Sequence, residues 1–270
     1  MNEWIFQLEL FWRPAITGGL LALLLPVLGL TLRLRKEYWA ALAYGQIGAA
    51  GALLALALGL PLLPGGLAAS LAVAAVKNPL EERKLRVVHF PLLFVLGWSI
   101  CHLLTANLPG VKRAGVALFE GQLYFAGVEM LVGAVIAAIM VVMYMKSQGR
   151  ALLLAYLYPV HFRAQGGPTW WVRTGFDLLV AAVLALSVMC LGVMGAFSLV
   201  FLPPWVASAF STSWRQALIT GAVLSFAAYG CAFMLAIVFD QPFGPAMVFV
   251  LCAMALLVQV ATVVRRKTGR

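Results

Sequence analysis

Long apolar runs dominate this sequence, and short stretches between them hold most of the charged residues. Nine apolar segments can be distinguished, at 14–32, 38–58, 60–76, 87–108, 124–145, 174–191, 193–208, 216–238 and 244–264. Several approach the roughly 20 residues that a helix needs to cross a bilayer. No alternation of apolar and polar positions suggests a transmembrane barrel. The pattern predicts an all-α protein, a polytopic transmembrane helical bundle with about eight or nine membrane segments.

Composition excludes an ordinary soluble domain. Of the 270 residues, 64% are hydrophobic and only 10% are charged, whereas soluble domains are typically about 25% charged. The net charge of +10 could indicate nucleic-acid binding, but the charges lie in loops beside the apolar segments. Because that placement is typical of the positive-inside bias, we expect the lipid bilayer as a partner and no nucleic acid.

The distribution of basic residues favours nine crossings. With nine crossings and the N-terminus outside, every Lys and Arg except Arg13, Lys112 and Arg113 lies on the inside. If segment 193–208 did not cross, the basic residues would be divided far more evenly between the two sides. The positive-inside rule therefore favours a crossing at 193–208, although its two adjacent prolines leave a re-entrant hairpin open.

The longest interruption of the apolar pattern runs from 146 to 173, KSQGRALLLAYLYPVHFRAQGGPTWWVR, and it contains no acidic residue. Its middle, from Arg150 to Phe162, predicts a short helix ended by Pro159 and the following Gly-Gly-Pro turn. Two interpretations remain open. The basic residues of this loop either only fix the orientation of the chain, or they dock into a soluble partner that moves the membrane segments.

Motifs for covalent chemistry are missing from the sequence. It has no GxSxG, no HExxH and no phosphate-binding loop, so we expect no enzymatic activity and no cofactor bound by this chain. Any ATP would have to be used by a separate partner subunit. The four cysteines lie within or beside apolar segments without CxxC spacing, which indicates free core residues rather than a metal cluster.

His102 is the most interesting ionisable residue within an apolar segment, because such residues are costly in a membrane and often functional. It follows Cys101 and lies one turn beyond Trp98. Adjacent residues on a helix point about 100° apart and rarely chelate one ion together. His102 is either a substrate-pathway residue or a packing histidine. Glu129 and Asp177, near the starts of segments, are expected to be interfacial or helix N-terminal carboxylates.

Three stretches, taken in order, resemble the membrane subunit of ABC importers for zinc, manganese and iron. They are FWRPAITGGLLALLLPVLGLTLRLRKEYWA near the start, GVMGAFSLVFLPPWVASAFSTSWRQAL, and FDQPFGPAMVFVLCAMALL near the end. The resemblance covers nearly the whole chain and implies one permease domain over residues 1–270. It also places the loop 146–173 where the family has its cytoplasmic coupling segment.

The resemblance implies a multi-pass permease of the cell inner (plasma) membrane that works by alternating access. The expected partners are an ABC ATPase subunit in two copies, an extracytoplasmic solute-binding protein and a second permease copy, giving a homodimer. ATP would be hydrolysed by the ATPase alone. Within the coupling loop, the residues assigned to ATPase contact are Arg150, Tyr156, Pro159, His161 and Arg163.

The chain departs from the family at its expected metal ligands. The family's second span typically starts with an acidic residue followed four positions later by histidine, and here those positions fall on Ala40 and Tyr44. A further family histidine falls on Trp98, with His102 one turn away. We assign Tyr44, Gln46, Trp98 and His102 to the substrate pathway, with His102 as the one possible metal ligand.

Two cargo hypotheses follow from this departure. The chain is either a divergent importer of a metal ion, or an importer of a metal chelate or a non-metal organic solute. Two other classes also remain open. A membrane scaffold would bind a partner and move nothing. A secondary transporter would usually show paired acidic residues within spans and an internal repeat, and neither is visible.

Overall fold

The computed structural model describes residues 2–82, 89–121, 123, 126–158, 160, 162 and 169–268. Within these ranges the regular secondary structure is helical and no strand occurs, which confirms the all-α prediction. The nine helices of the described ranges are α1 (Asn2–Arg35), α2 (Tyr38–Ala57), α3 (Leu62–Glu82), α4 (His89–Asn107), α5 (Pro109–Glu120), α6 (Val128–Leu157), α7 (Thr169–Phe210), α8 (Trp214–Val238) and α9 (Phe243–Thr268).

The predicted apolar segments correspond to these helices. Among the described residues, seven stretches, in α1, α2, α4, α6, α7, α8 and α9, are long and apolar enough to cross a membrane. The apolar part of α3, Leu62–Lys77, is shorter. The prediction of a polytopic helical bundle is therefore confirmed. Helix α5, with Lys112 and Arg113 exposed on it, was not predicted.

Helix α7 contains a sharp break at Gly192, whose φ of 79° and ψ of 165° are not helical. The break divides α7 into a first limb (169–191) and a second limb (193–210). Asp177 of the first limb pairs with Arg35, and carbonyl oxygens of the second limb, including that of Pro204, accept hydrogen bonds from Arg33. Since Arg33 and Arg35 share one end of α1, both limbs point to the same end of the bundle. The chain reverses at Gly192, so 193–208 is a separate pass.

We call the end of the bundle that holds Arg33, Arg35 and Lys77 the basic end. The opposite end contains the turn between α2 and α3 and the turn between α8 and α9. Gly192 is the residue that permits the reversal. A β-carbon there would lie 2.6 Å from the backbone nitrogen of Gly121, and its positive φ disfavours any other residue type.

The bundle has a buried centre and an exposed periphery. The membrane-length stretches of α1, α2 and α7 are 72%, 67% and 83% buried, whereas those of α4 and α6 are only 11% and 17% buried. Small residues allow the central helices to approach closely. At Gly29 of α1, for example, a β-carbon would lie 2.0 Å from the carbonyl oxygen of Val200. Helices α4 and α6 therefore expose most of their surface, where other molecules can bind.

Candidate functional site

Helices α2 and α4 carry the four residues predicted for the substrate pathway, and the two helices pack closely. Gly97 permits the contact, because a β-carbon there would lie 3.0 Å from the carbonyl group of Gln46. The Nε2 of Gln46 donates to the Sγ of Cys101 at 3.9 Å. Gln46 is fully buried, so it lies beneath α4 rather than on an open surface.

An aromatic stripe runs along one face of α4, where Phe90, Phe94, Trp98 and His102 follow one another at intervals of four residues. Such spacing places side chains one above the other on a helix. The ring centroids of Phe94 and Trp98 are 6.2 Å apart, and those of Trp98 and His102 are 5.4 Å apart. The structure therefore brings Trp98 and His102 together, as the sequence analysis predicted. Tyr44 reaches the same stripe through an edge contact with Phe90 at 6.2 Å.

Helix α5 folds back along the second half of α4 and extends this stripe. The imidazole of His102 stacks on Phe119 with 4.8 Å between ring centroids, and Trp98 meets Phe119 edge-on at 5.1 Å. Gly115 allows the close return, since a β-carbon there would lie 2.1 Å from the hydroxyl oxygen of Thr105. Phe119 was not singled out from the sequence, because nothing in an isolated aromatic residue shows which helix it will face.

The second limb of α7 continues the aromatic contacts towards the basic end. Phe197 lies 6.4 Å from Phe94 and 6.2 Å from Phe201, measured between centroids, and Phe201 contacts Tyr38 edge-on at 4.9 Å. We call this continuous series the aromatic track. Its members are Phe119, His102, Trp98, Phe94, Phe197, Phe201 and Tyr38.

The aromatic track offers stacking surfaces and few metal ligands. Among the described residues, no group of three or more His, Cys, Asp or Glu side chains could hold a metal ion. His102 is exposed and is the only imidazole on the track. Near it, the Oε1 of the buried Gln46 makes no hydrogen bond with any described residue. The arrangement suits a flat or neutral group better than a bare divalent cation, which prefers several charged or imidazole ligands.

A second feature, a buried group of four charged side chains, lies at the basic end. We call Arg35, Glu37, Lys77 and Asp177 the ion cluster. The Nζ of Lys77 lies 2.8 Å from Glu37 Oε2 and 2.9 Å from Asp177 Oδ1. The Nη2 of Arg35 lies 2.8 Å from the same Glu37 oxygen and 3.2 Å from the same Asp177 oxygen. The cluster connects α1, the α1–α2 junction, α3 and α7 with two positive and two negative charges.

The ion cluster corrects the expectation for Asp177. Its side chain is 1% exposed, as is that of Lys77, so it is enclosed by the bundle and does not face the surface. Helix α7 begins at Thr169, which places Asp177 two turns inside the helix, where the dipole of the N-terminus has little effect. One feature of the sequence could have predicted this ion pair, because Asp177 and Lys77 are oppositely charged and lie near the ends of different apolar segments.

Glu37 lies between the membrane-length stretches of α1 and α2. Burial opposes its charge, but the nearby Arg35 and Lys77 outweigh this and hold the pKa of the Glu37 carboxyl below its ordinary value. Each charge in the cluster is thus compensated by close partners, as buried ions require. Removing a single member would leave its partners buried without full compensation.

The predicted coupling loop begins inside α6. The structure shows no new helix at Arg150, because α6 continues without a break to Leu157 and tolerates the single Gly149 in its interior. Arg150 is exposed and Tyr156 is half-buried. Three predicted contact residues, Pro159, His161 and Arg163, lie outside the described residues.

We call residues 146–157 of α6 the α6 extension, and two hydrogen bonds connect this part of α6 and the turn before it to the start of α7. The hydroxyl of Tyr144 donates to the carbonyl oxygen of Val172. The guanidinium of Arg173 donates to the carbonyl oxygen of Ala155 at 3.4 Å. A displacement of the α6 extension would therefore also displace the first limb of α7.

Comparisons with known proteins agree with this architecture. The model of the ABC 3 transport family matches residues 7–262, and no curated protein matches. PsaBC from Streptococcus pneumoniae, solved in complex with a Fab, has a similar fold, with a TM-score of 0.80, 14% identity, and coverage of 95% of this chain and 94% of that chain. A metal-chelate type ABC transporter in an inward-facing conformation has a TM-score of 0.72 and 14% identity, with coverage of 93% and 85%.

Proposed function

Because the chain belongs to the ABC 3 transport family, a family of ABC transporter permeases, we propose that it moves a metal ion or a metal-containing solute by alternating access. The sequence has no phosphate-binding loop, so ATP hydrolysis is assigned to a partner. The proposed assembly has two copies of this permease, two ABC ATPase subunits and an extracytoplasmic binding protein. Its proposed place is the inner (plasma) membrane.

The aromatic track is the observation that carries the proposed pathway. It runs from Phe119 of α5 along three residues of α4, including Trp98 and His102, and then over the second limb of α7 to Tyr38 of α2. The acidic residues Glu37 and Asp177 lie at the basic end in the ion cluster, where Arg35 and Lys77 already compensate them. A cargo on the track meets ring faces and one imidazole, which favours a metal held in an organic chelate.

A second candidate cargo, an organic solute without metal, is favoured by the same track. Aromatic faces bind flat or cationic organic groups without any metal ligand. A third, a free ion, would depend on His102 for its only imidazole and on the binding protein for selectivity. The three cargoes differ in chemical form, so an assay that measures transport of each form can distinguish them.

Transport in proteoliposomes tests the proposal. The permease would be reconstituted with its ATPase and binding protein, and free zinc, manganese and iron would be offered in parallel with their chelated forms. Saturable, ATP-dependent uptake of the chelate alone is the expected result. Uptake of a free ion would support the metal-ion cargo and contradict the chelate. If the ATPase binds and neither free nor chelated metal moves, both metal cargoes are contradicted, and the metal-free organic solute and the membrane scaffold are the remaining functions.

The α6 extension and the loop 146–173 are proposed to couple ATP hydrolysis to the membrane segments. Arg150 is exposed there, and the hydrogen bond from Arg173 to Ala155 links the extension to α7. A proline at Leu153 would break α6 near its end. We expect Leu153→Pro to uncouple hydrolysis from uptake while the permease still inserts. Unchanged uptake in this variant would contradict the coupling role.

A further inference from the structure

A long apolar groove lies on the side of the bundle away from the aromatic track. Helices α3 and α6 each pack against the first limb of α7 but make few contacts with one another. The space between them has a volume of about 1240 Å³. Its floor is formed by the first limb of α7 and its walls by α3 and α6.

The groove is apolar along its whole membrane depth. Each wall presents a helical stripe of aliphatic side chains, and those used in the argument below are Leu67 of α3, Met140 of α6 and Ala182 of α7. The stretch of α6 from Glu129 to Ser147 is about 27 Å long. This is close to the roughly 30 Å of a bilayer's hydrocarbon core. In a membrane such a groove is filled by hydrocarbon, because water has no hydrogen-bonding partners there.

The two mouths of the groove differ in charge. At the opposite end, Glu129 lines the mouth. At the basic end, the groove-lining face of α6 continues one turn beyond Ser147 to Arg150, which is exposed. The groove-lining face of α7 reaches the same end one turn before Gly175, at Trp171, which is 69% exposed. An exposed cation and an amphipathic ring at the same end of a groove are typical of the lipid headgroup region.

We propose that this groove binds an anionic phospholipid from the leaflet at the basic end. Its acyl chains lie along Leu67, Met140 and Ala182, and its headgroup lies at Arg150 beside Trp171. The carboxylate of Glu129 at the other mouth disfavours an anionic lipid entering from the second leaflet. The short apolar part of α3 favours the same occupant, because its 16 residues, Leu62–Lys77, extend only about 24 Å. A bound lipid fills the space left by the difference in length between the apolar part of α3 and the thicker hydrocarbon core of the bilayer.

Lipid retention tests the proposal without reference to transport. The full-length permease would be placed in bilayer discs of phosphatidylcholine with a minor fraction of phosphatidylglycerol, extracted in mild detergent, and weighed by native mass spectrometry. We expect selective retention of phosphatidylglycerol. Met140→Trp fills the groove and should abolish the retention. Ile139→Trp is the matched control, because Ile139 is exposed and does not line the groove.

The headgroup part of the proposal has its own variant. Arg150→Gln should lower the preference for phosphatidylglycerol over phosphatidylcholine about fivefold, as expected for one basic residue at an anionic surface. Arg113→Gln, an exposed arginine at the other end, should leave the preference unchanged. Should Met140→Trp fail to fold, Gly133→Leu fills the same groove, where a β-carbon would meet only the flexible end of Leu186 at 3.3 Å.

Three results would overturn the proposal. Equal retention of both lipids, or equal retention by Met140→Trp and Ile139→Trp, would mean that the groove holds no specific lipid. The third result concerns a protein occupant. In a background with the exposed Cys231 and Cys252 replaced by alanine, a Met140→Cys variant that cross-links two permease copies would identify the groove as a protein interface.

Discussion

The ion cluster lies among the most buried helices of the bundle, whereas the aromatic track follows α4, whose membrane-length stretch is only 11% buried. The cluster buries Arg35, Lys77 and Asp177, leaves Glu37 21% exposed, and pairs each charge with an opposite one within 3.2 Å. The rings of the track are half-buried, and its imidazole, His102, is exposed. Buried charge in this chain therefore fixes helices to one another, whereas the track contains no Asp, Glu, Lys or Arg. The cluster is suited to holding the bundle together and the track to passing a solute.

The largest expected effect comes from removing one charge of the ion cluster. Asp177→Ala leaves Lys77 and Arg35 buried with only Glu37 as a partner, and breaking a buried ion pair in this way typically costs about 3–5 kcal/mol. Thermal unfolding of the permease in detergent would show a large loss of stability. Glu129→Ala, which removes an exposed carboxylate, is the control and should change little.

The double variant Lys77→Met/Asp177→Leu sharpens this test. It removes one positive and one negative charge together, so we expect it to be more stable than Asp177→Ala. If the double variant were the less stable of the two, the cluster would owe its role to packing rather than to charge compensation.

Gly192 joins the two regions, since Asp177 lies on one limb of α7 and Phe197 on the other. Gly192→Ala forces a residue with a β-carbon into a positive φ and against the backbone of Gly121. Strain of that kind costs of order 1–3 kcal/mol. Gly230→Ala is the matched control, because a β-carbon at Gly230 meets nothing within 4 Å, and it should be neutral or slightly stabilising. Equal melting temperatures for the two variants would contradict the constraint at Gly192.

Trp98→Ala tests the track itself. Loss of the ring removes contacts with Phe94, His102 and Phe119 and leaves most of the core intact. If the track carries the solute, uptake per folded permease should fall about tenfold, the equivalent of one aromatic stacking interaction. The melting temperature should fall as well, because Trp98 packs against a buried cluster. Trp98→Phe should restore most of the uptake. Phe249→Ala, an aromatic residue 71% exposed on α9, is the control. Tyr44→Ala is a poorer test, because Tyr44 is 1% exposed and its loss leaves a cavity.

The sequence predicted the fold better than the site. Apolar length and charge placement were enough to predict the helices, and the basic-residue distribution favoured the separate pass at 193–208. Helix α5 was missed because it is short, and Lys112 and Arg113 made it resemble a loop. The α6 extension was misplaced because Gly149 and the charges beside it resembled a helix boundary.

The site was only half predictable because its residues meet through tertiary packing. Trp98 and His102 could be paired from their spacing on one helix. Phe119 and Phe197 join them only because α5 folds back and α7 reverses at Gly192, and no local pattern shows either turn. The partnership of Lys77 with Asp177 likewise depends on α3 packing against α7. Gln46, predicted on the pathway with Trp98, is buried beneath α4 and donates to the Sγ of Cys101.

The smallest expected effect is the pH dependence contributed by Glu37. Its pKa is lower in the folded protein than in the unfolded chain, because Arg35 and Lys77 outweigh the opposing effect of burial. Its ionisation therefore contributes stability above the unfolded pKa, and this contribution is lost as the pH falls through the lower folded pKa. Melting temperatures measured from neutral pH down to below the ordinary glutamate value should fall less steeply for Glu37→Gln than for the unsubstituted protein. If Glu37→Gln keeps the original slope, the acid sensitivity arises elsewhere, and charge compensation at the edge of the cluster contributes less than at its buried centre.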